Sequence, residues 1–329
     1  MAAPGLKAFR KIEIGKEATR GTAVAANKFI LGTLQMTKDI TWHEPDEDRG
    51  SLARFHRRTS VGEAGTLRFE GPANYEQLIH FLAMAVKGGV VGVQQALTTA
   101  YLWTFSPNYA TKNAQDSYTI EFGDDIQAWE SNFALISSLE LGLAMNEVAM
   151  LRADIFGRPP VTCTFTALSA PTVINDIIAT KAKIYVDSTW ATLGTTPKSD
   201  LLIAGTVRLP TGIVPVKYAD GNLYFSSVSE QKRNLELDLT FAFNSDANTE
   251  RGYWEAGTMR FIRLEIIGAL IASTYYYTLR IDMAVRYTTW STLEDRDGED
   301  VVRVTAVSEY DPTGTKEFEI VVTNKETAL

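Results

Sequence analysis

One cysteine, three histidines and no apolar run long enough to cross a membrane are found among the 329 residues. A lone thiol, Cys163, cannot close an intramolecular disulfide, so stability has to come from packing and assembly. It lies in an alternating VTCTFT stretch, where a small half-buried apolar residue fits. Structural zinc is excluded on the same count, because such sites take four cysteine or histidine ligands at short paired spacings. The most apolar window, FLAMAVKGGVVGV, is broken by Lys87, Gly88 and Gly89, and the opening MAAPGLKAFRKIEIG has no core for a secretory signal. No membrane contact is expected.

Positive charge is also short. Lysine and arginine number 32 against 40 acidic residues, a net charge of −8, which argues against tight binding of nucleic-acid phosphates. The composition, 45 % hydrophobic and 22 % charged, is that of an ordinary globular chain with room for one large domain or two average ones.

Catalytic signatures are missing as well. There is no phosphate-binding G-x-x-x-x-G-K-[ST] loop, no dinucleotide G-x-G-x-x-G and no G-x-S-x-G elbow. LEDRDGED (293–300) approaches a calcium loop, but with Gly298 at its sixth position the first and twelfth positions fall on Leu293 and Val304, which offer no carboxylate. No enzyme activity, metal or cofactor is expected.

What is present is strict alternation. In LELDLTFAF (235–243) the apolar residues share one face while Glu236, Asp238 and Thr240 share the other. The same period runs through SYTIEFG (117–123), EVAMLRADIF (147–156), MRFIRLEII (259–267), YTLRIDMAVRY (277–287), VVRVTAV (301–307) and FEIVVTN (318–324). Asp220-Gly221, Asp297-Gly298 and the segment Pro312 to Gly314 punctuate these runs as hairpin turns do. The fold class is therefore mainly β with half-solvated sheets. One stretch departs from the pattern: NYEQLIHFLAMAVK (74–87) has helical spacing, with Asn74 as its N-cap and Gly88-Gly89 as its stop. His80 lies on that helix and reads as a packed histidine.

The sequence also repeats. Shifted by 173 residues, ATRGTAVAANKFILGT (18–33) meets ATLGTTPKSDLLIAGT (191–206) with seven identities in sixteen. Shifted by 174, TLRFEGPANYE (66–76) meets TFAFNSDANTE (240–250). Beyond that point the second copy is shorter, which predicts an abbreviated second helix near 249–257. Two like domains are expected, 1–170 and 171–329.

HEPDEDRGSLARFHRR (43–58) gathers the acids Glu44, Asp46, Glu47 and Asp48 with Arg49, Arg54, Arg57 and Arg58. Pro45 disfavours a metal-binding helix, and His43 and His56 have no nucleophile at a recognised spacing. Under the 173-residue shift the stretch falls on VKYADGNLYFSSVSEQ (216–231), with Asp220-Gly221 at a hairpin tip. An acidic tip with an arginine-rich return strand suits pairing between subunits, so Asp46, Glu47, Asp48, Arg49, Arg54, Arg57, Arg58, Asp220 and Gly221 form the expected inter-subunit loops.

GKEATRGTAVAANKFILG (15–32), GTLRFEGPANYEQLIHFLAMAVKGG (65–89) and RDGEDVVRVTAVSEYDPTGTKEFEIVVTN (296–324), in this order, resemble a tail tube (major tail) protein of long-tailed bacteriophages. The resemblance covers both ends and much of the middle. It implies a β-sandwich or split-barrel domain flanked by a helix, in rings that stack into a hollow tube conducting the phage genome. Implied partners are further copies of the chain, a tape-measure protein, tail-end proteins, and DNA that passes without specific binding. The implied location is the virion tail, assembled in the host cytoplasm. Members of this family contribute one domain each to a hexameric ring, so two domains per chain predict a trimeric, pseudo-hexameric ring. Glu236 and Asp238 are then candidates for the lumen. The other readings are a ring protein of the tube end or baseplate hub, and a carbohydrate-binding or enzymatic β-sandwich using Trp103, Trp129 and Trp190.

Overall fold

The computed structural model describes residues 4–329, and its chain is mainly β, with two α-helices among twenty strands. The first half runs β1 (Lys11–Lys16), β2 (Lys28–Phe29), β3 (Thr33–His43), β4 (Thr59–Pro72), α1 (Leu78–Ala85), β5 (Val93–Gln94), β6 (Tyr101–Phe105), β7 (Tyr118–Gly123), β8 (Ala128–Ala144), β9 (Met150–Gly157) and β10 (Val161–Cys163). The second half runs β11 (Ala182–Asp187), β12 (Leu202–Pro210), β13 (Ile213–Val216), β14 (Ser227–Glu230), β15 (Glu236–Ala242), α2 (Ser245–Glu255), β16 (Arg260–Ala272), β17 (Tyr275–Trp290), β18 (Glu294–Arg296), β19 (Glu299–Ser308) and β20 (Phe318–Asn324).

Alternation in sequence becomes alternation in burial. Along β15 Leu237, Leu239 and Phe241 are buried while Asp238 is exposed. Each apolar side chain taken from water on such a face stabilises the fold by about 1.5–3 kcal/mol before entropy is counted. The long strand β8 is different. Phe133 to Ile136 are buried in succession, because this part of the strand is covered on both faces. Helix α1 is buried along all eight residues.

Strand pairing in the first half follows the order β1, β7, β8, β9, β4, β3, every step antiparallel. In the second half the order is β11, β16, β17, β19, β15, β12, again antiparallel throughout. Position by position, these are the same elements met in the same chain order. Even an irregularity recurs: the register slips between Ile136 and Ser138 where β8 meets β9, and between Tyr287 and Thr289 where β17 meets β19. A shift of 151 residues carries one slip onto the other, from 136 to 287 and from 155 to 306.

The turn ATRGT is matched by ATLGT as the 173-residue shift requires. Thr22 N donates to Thr19 O at 3.0 Å and Thr195 N to Thr192 O at 3.2 Å, with Gly21 and Gly194 both at positive φ. The 174-residue shift fails farther on. Asn74 Oδ1 accepts from Gln77 N at 2.8 Å, and the residue doing this in the second half is Asn244, accepting from Ala247 N at 3.0 Å. Those two asparagines are 170 apart, so the identities between 66–76 and 240–250 lie four residues out of structural register. A slip of an even number keeps every side chain on its face of the strand, which is why the false match looked sound.

The second helix is not abbreviated either. Helix α2 has 11 residues against 8 in α1. Asn244 caps α2 directly, whereas residues 75–77 form turns between Asn74 and the start of α1. The helices sit on equivalent buried contacts of different chemistry. His80 of α1 meets the Tyr118 hydroxyl at 3.1 Å, while Glu250 of α2 accepts two hydrogen bonds from Arg260.

Two strand pairings join the halves, one of them β6 on β20, from Phe105 opposite Ile320 to Tyr101 opposite Asn324. In the other, β12 lies antiparallel on β8 from Ala204 opposite Ala144 to Pro210 opposite Ser138. Eight strands, β17, β19, β15, β12, β8, β9, β4 and β3, thereby form one unbroken run.

Candidate assembly surfaces

The polar face of this run carries an ordered row of charge. Glu70 on β4 stands opposite Arg152 on β9, Arg152 opposite Glu140 on β8, Glu140 opposite Arg208 on β12, and Arg208 opposite Glu236 on β15. Acid and base alternate across five strands and across the joint between the halves. Arg152 reaches Glu70 and Glu140 at 3.1 Å each, and one residue pair along, Arg68 faces Asp154 at 3.5 Å. Opposite charges placed cross-strand favour this register, and each exposed pair contributes about 0–1 kcal/mol. Glu236 and Asp238 both belong to this face, Asp238 between Thr206 and Thr305. The face holds two hollows of about 770 and 250 Å³.

The first hairpin, β3 with β4, extends to a tip at residues 44–58 that is almost wholly exposed. Glu47 there accepts from Arg57 at 2.6 Å and from Arg49 at 2.6 Å. Those guanidinium hydrogen bonds, Arg57 first, hold its carboxyl down at about 2. Part of the expected inter-subunit charge is therefore satisfied within the tip. Arg54 lies over the Phe55 ring at 4.8 Å and Arg58 over Trp42 at 4.3 Å. Among the described residues neither arginine has a carboxylate within 4.0 Å, and Asp46, Asp48, His43 and His56 make no side-chain hydrogen bond or ion pair.

The second hairpin, β13 with β14, is packed down. Gly221 turns its tip at φ +85°, and Asp220 accepts hydrogen bonds from the Ser226 hydroxyl and from Asn222 N at 3.1 Å. The same bonds lower the Asp220 carboxyl pKa, Ser226 contributing most. Asp220 and Gly221 thus shape a loop that contacts its own chain. Phe225 and Ile213 are buried against Phe133 and Leu135 of β8, with Phe156 of β9 alongside. Arg158 lies 4.9 Å from the Tyr224 ring, and Glu63 N of β4 donates to Leu223 O at 2.7 Å.

Several titratable groups outside the hairpins are held within the fold. Burial, with help from the charges of Lys28 and Lys16, holds His80 down at about 3, so it is a neutral hydrogen-bond partner of Tyr118. Cys163 is half-buried and its thiol is pushed up to about 11, chiefly by burial and then by Glu121. Glu13, opposite Glu121 in the β1–β7 ladder, is raised by burial, and together they tie down the segment after β10 by accepting from Leu168 N and Thr166 N. No group of His, Cys, Asp and Glu able to hold a metal occurs among the described residues. No helix among them is long and apolar enough to cross a membrane. Trp103 is in the core, donating to Asn324 at 2.9 Å, and no two of Trp103, Trp129 and Trp190 stack on each other among the described residues.

No protein-family model matches the sequence, and no curated protein is significantly similar to it.

Sequence reasoning missed Arg158, Phe225 and their seat on β8 and β9. The signal was present in Ala53-Arg54-Phe55 and Leu223-Tyr224-Phe225, which align at the 170-residue shift. The 173-residue shift sets Phe225 opposite Leu52 instead.

Proposed function

We propose that the chain is a structural virion protein whose copies close into rings and stack into a hollow tube, as the likeness to phage tail tube proteins suggests. Its two halves, 1–170 and 171–329, act as tandem copies of one β-sandwich or split-barrel domain. The observation that carries the reading is the eight-strand run with an unpaired edge at each end. Among the described residues β3 pairs only with β4, and the stretch Arg286 to Arg296 pairs only with β19. Within the chain β12 occupies the place on β8 that β3 would occupy on β17 and β18 of the next chain.

Joining edge to edge satisfies backbone groups that would otherwise template aggregation, and a head-to-tail contact of this kind closes into a ring. Three chains supply six domains. The alternating charges on the polar face then line the bore, where balanced acid and base offer DNA no net phosphate attraction. Tape-measure and tail-end proteins are the expected further partners, with duplex DNA as cargo.

Negative-stain electron microscopy of the purified protein, with mass photometry of its smallest ring, tests this. Hollow tubes and a three-chain ring are expected. Six chains per ring would refute the tandem-domain stoichiometry. Single rings that never stack would point to a tube-end protein, and monomers at every concentration would end the ring reading.

A further inference from the structure

The hairpins occupy equivalent places yet have different surroundings. Trp42 faces Ser60 in the first, and Ile213 faces Glu230 in the second. The 170-residue shift that relates Asn74 to Asn244 also relates Ser60 to Glu230. It carries Phe55 onto Phe225, Arg54 onto Tyr224 and Arg58 onto Val228. Phe225 is 2 % exposed because β8 and β9 of the first half receive it, whereas Phe55 is 46 % exposed and Trp42 42 %. A two-stranded extension that holds aromatic side chains in water lacks the cover its twin has.

The receiving surface has a twin too. The 151-residue shift carries Leu135 onto Arg286, Phe156 onto Val307 and Arg158 onto Glu309. Backbone pairing agrees at the last position to within one residue of the acceptor, since Arg158 N donates to Asn132 O and Glu309 N to Ala284 O, both at 2.9 Å. Arg286 and Glu309 are side by side on the surface, the arginine Nε 2.6 Å from the carboxylate. Where the occupied seat offers a guanidinium to Tyr224, its twin offers a carboxylate, and the residue that would arrive there is Arg54.

We propose that the first hairpin docks on the second half of a neighbouring copy of this chain, with Phe55 and Trp42 over Val307 and Arg286, and Arg54 pairing with Glu309. The occupant is a second copy, because the same joint is already made between the two halves of one chain. Charge agrees, an arginine meeting a carboxylate where the in-chain joint has an arginine meeting an aromatic ring. The inference rests on the ring reading only in requiring that copies associate head to tail; it stands without tubes or DNA.

The test is a charge swap in the full-length chain, read by sedimentation velocity at low salt. Arg54→Glu and Glu309→Arg are each expected to weaken self-association more than about tenfold, and the double variant to recover most of it. Phe55→Ala is expected to weaken it as well, and circular dichroism melts keep a folding defect apart from an association defect. Loss in the singles without recovery in the double overturns the pairing. Association unchanged in both singles overturns the docking while leaving the ring reading in place. Swap-dependent association without hollow tubes supports the docking and removes the tube, and a wild-type chain that never associates overturns both.

Discussion

Glu250 takes both arms of the Arg260 guanidinium, at 2.8 and 2.7 Å, where both side chains are nearly dry. Tyr287 donates to the same carboxylate at 3.1 Å, and the Arg260 guanidinium lies 4.0 Å from the Tyr253 ring. Helix α2 is thereby fastened to β16 and β17 by a buried two-armed charge pair. Glu250→Ala leaves a buried guanidinium without its partner and is expected to cost about 3–5 kcal/mol in urea unfolding. Replacing both members, Glu250→Leu with Arg260→Met, should cost clearly less. A double variant no better than the single would show that the pair matters for its shape alone.

The two phenylalanines should separate in the monomer. Phe225→Ala opens a cavity between the second hairpin and β8 and is expected to cost about 3–5 kcal/mol. Phe55→Ala removes an exposed ring and should change stability by no more than about 0.5 kcal/mol. Denaturant titration at a concentration where the chain is monomeric measures both. Equal losses would mean that the hairpins are not differently seated.

Charge reversal on the polar sheet face should act on DNA and spare the fold. The central strands present the acids Glu70, Glu140, Asp154, Glu236 and Asp238 against Arg68, Arg152, Arg208 and Arg303, five against four. Changing Glu236 and Asp238 to lysine moves that balance from −1 to +3. The variant is expected to bind duplex DNA at about 50 mM salt and release it by about 200 mM, while the wild type binds at neither. Fluorescence polarisation with a labelled duplex decides, and unchanged binding would place this face outside DNA's reach.

Acid should weaken the fold partly through His80. Its folded pKa, about 3, lies below the ordinary 6.5, so as pH falls the unfolded chain takes up a proton that the folded chain refuses. The stabilisation is whole above 6.5 and declines as pH falls towards the folded value, by as much as about 1.4 kcal/mol per pH unit. Glu13 works in the opposite sense: its raised pKa contributes stability below the ordinary carboxylate value that is lost as pH rises through the raised one. His80→Gln should therefore lose less melting temperature than the wild type between about pH 7 and about pH 5. Parallel melting curves would contradict the burial of a neutral imidazole.

The mainly β class and most strands were legible because their outer faces are wet, as along β9, β15 and β19. Strand β8 escaped notice because Phe133 to Ile136 are all buried, leaving no alternation to read. The repeat was visible at ATRGT and ATLGT, where a positive-φ glycine fixes sequence and backbone together. It went out of register where only face preference constrained the residues, since a four-residue slip on a strand keeps the pattern. Arg54, Arg57 and Arg58 were recognisable as a surface loop. That Glu47 would bind Arg57 while Arg54 stayed free depends on tip geometry, which charge counting does not carry.

In the proposed ring, the β12–β8 joint would also set how fast closure occurs. Each chain would bring one of that ring's strand junctions already tethered at high local concentration. A ring of six separate domains needs about six bodies to meet, whereas three tandem chains would need about three, so the concentration dependence of nucleation would fall by half in order. Gene dosage would then have a weaker hold on when assembly begins.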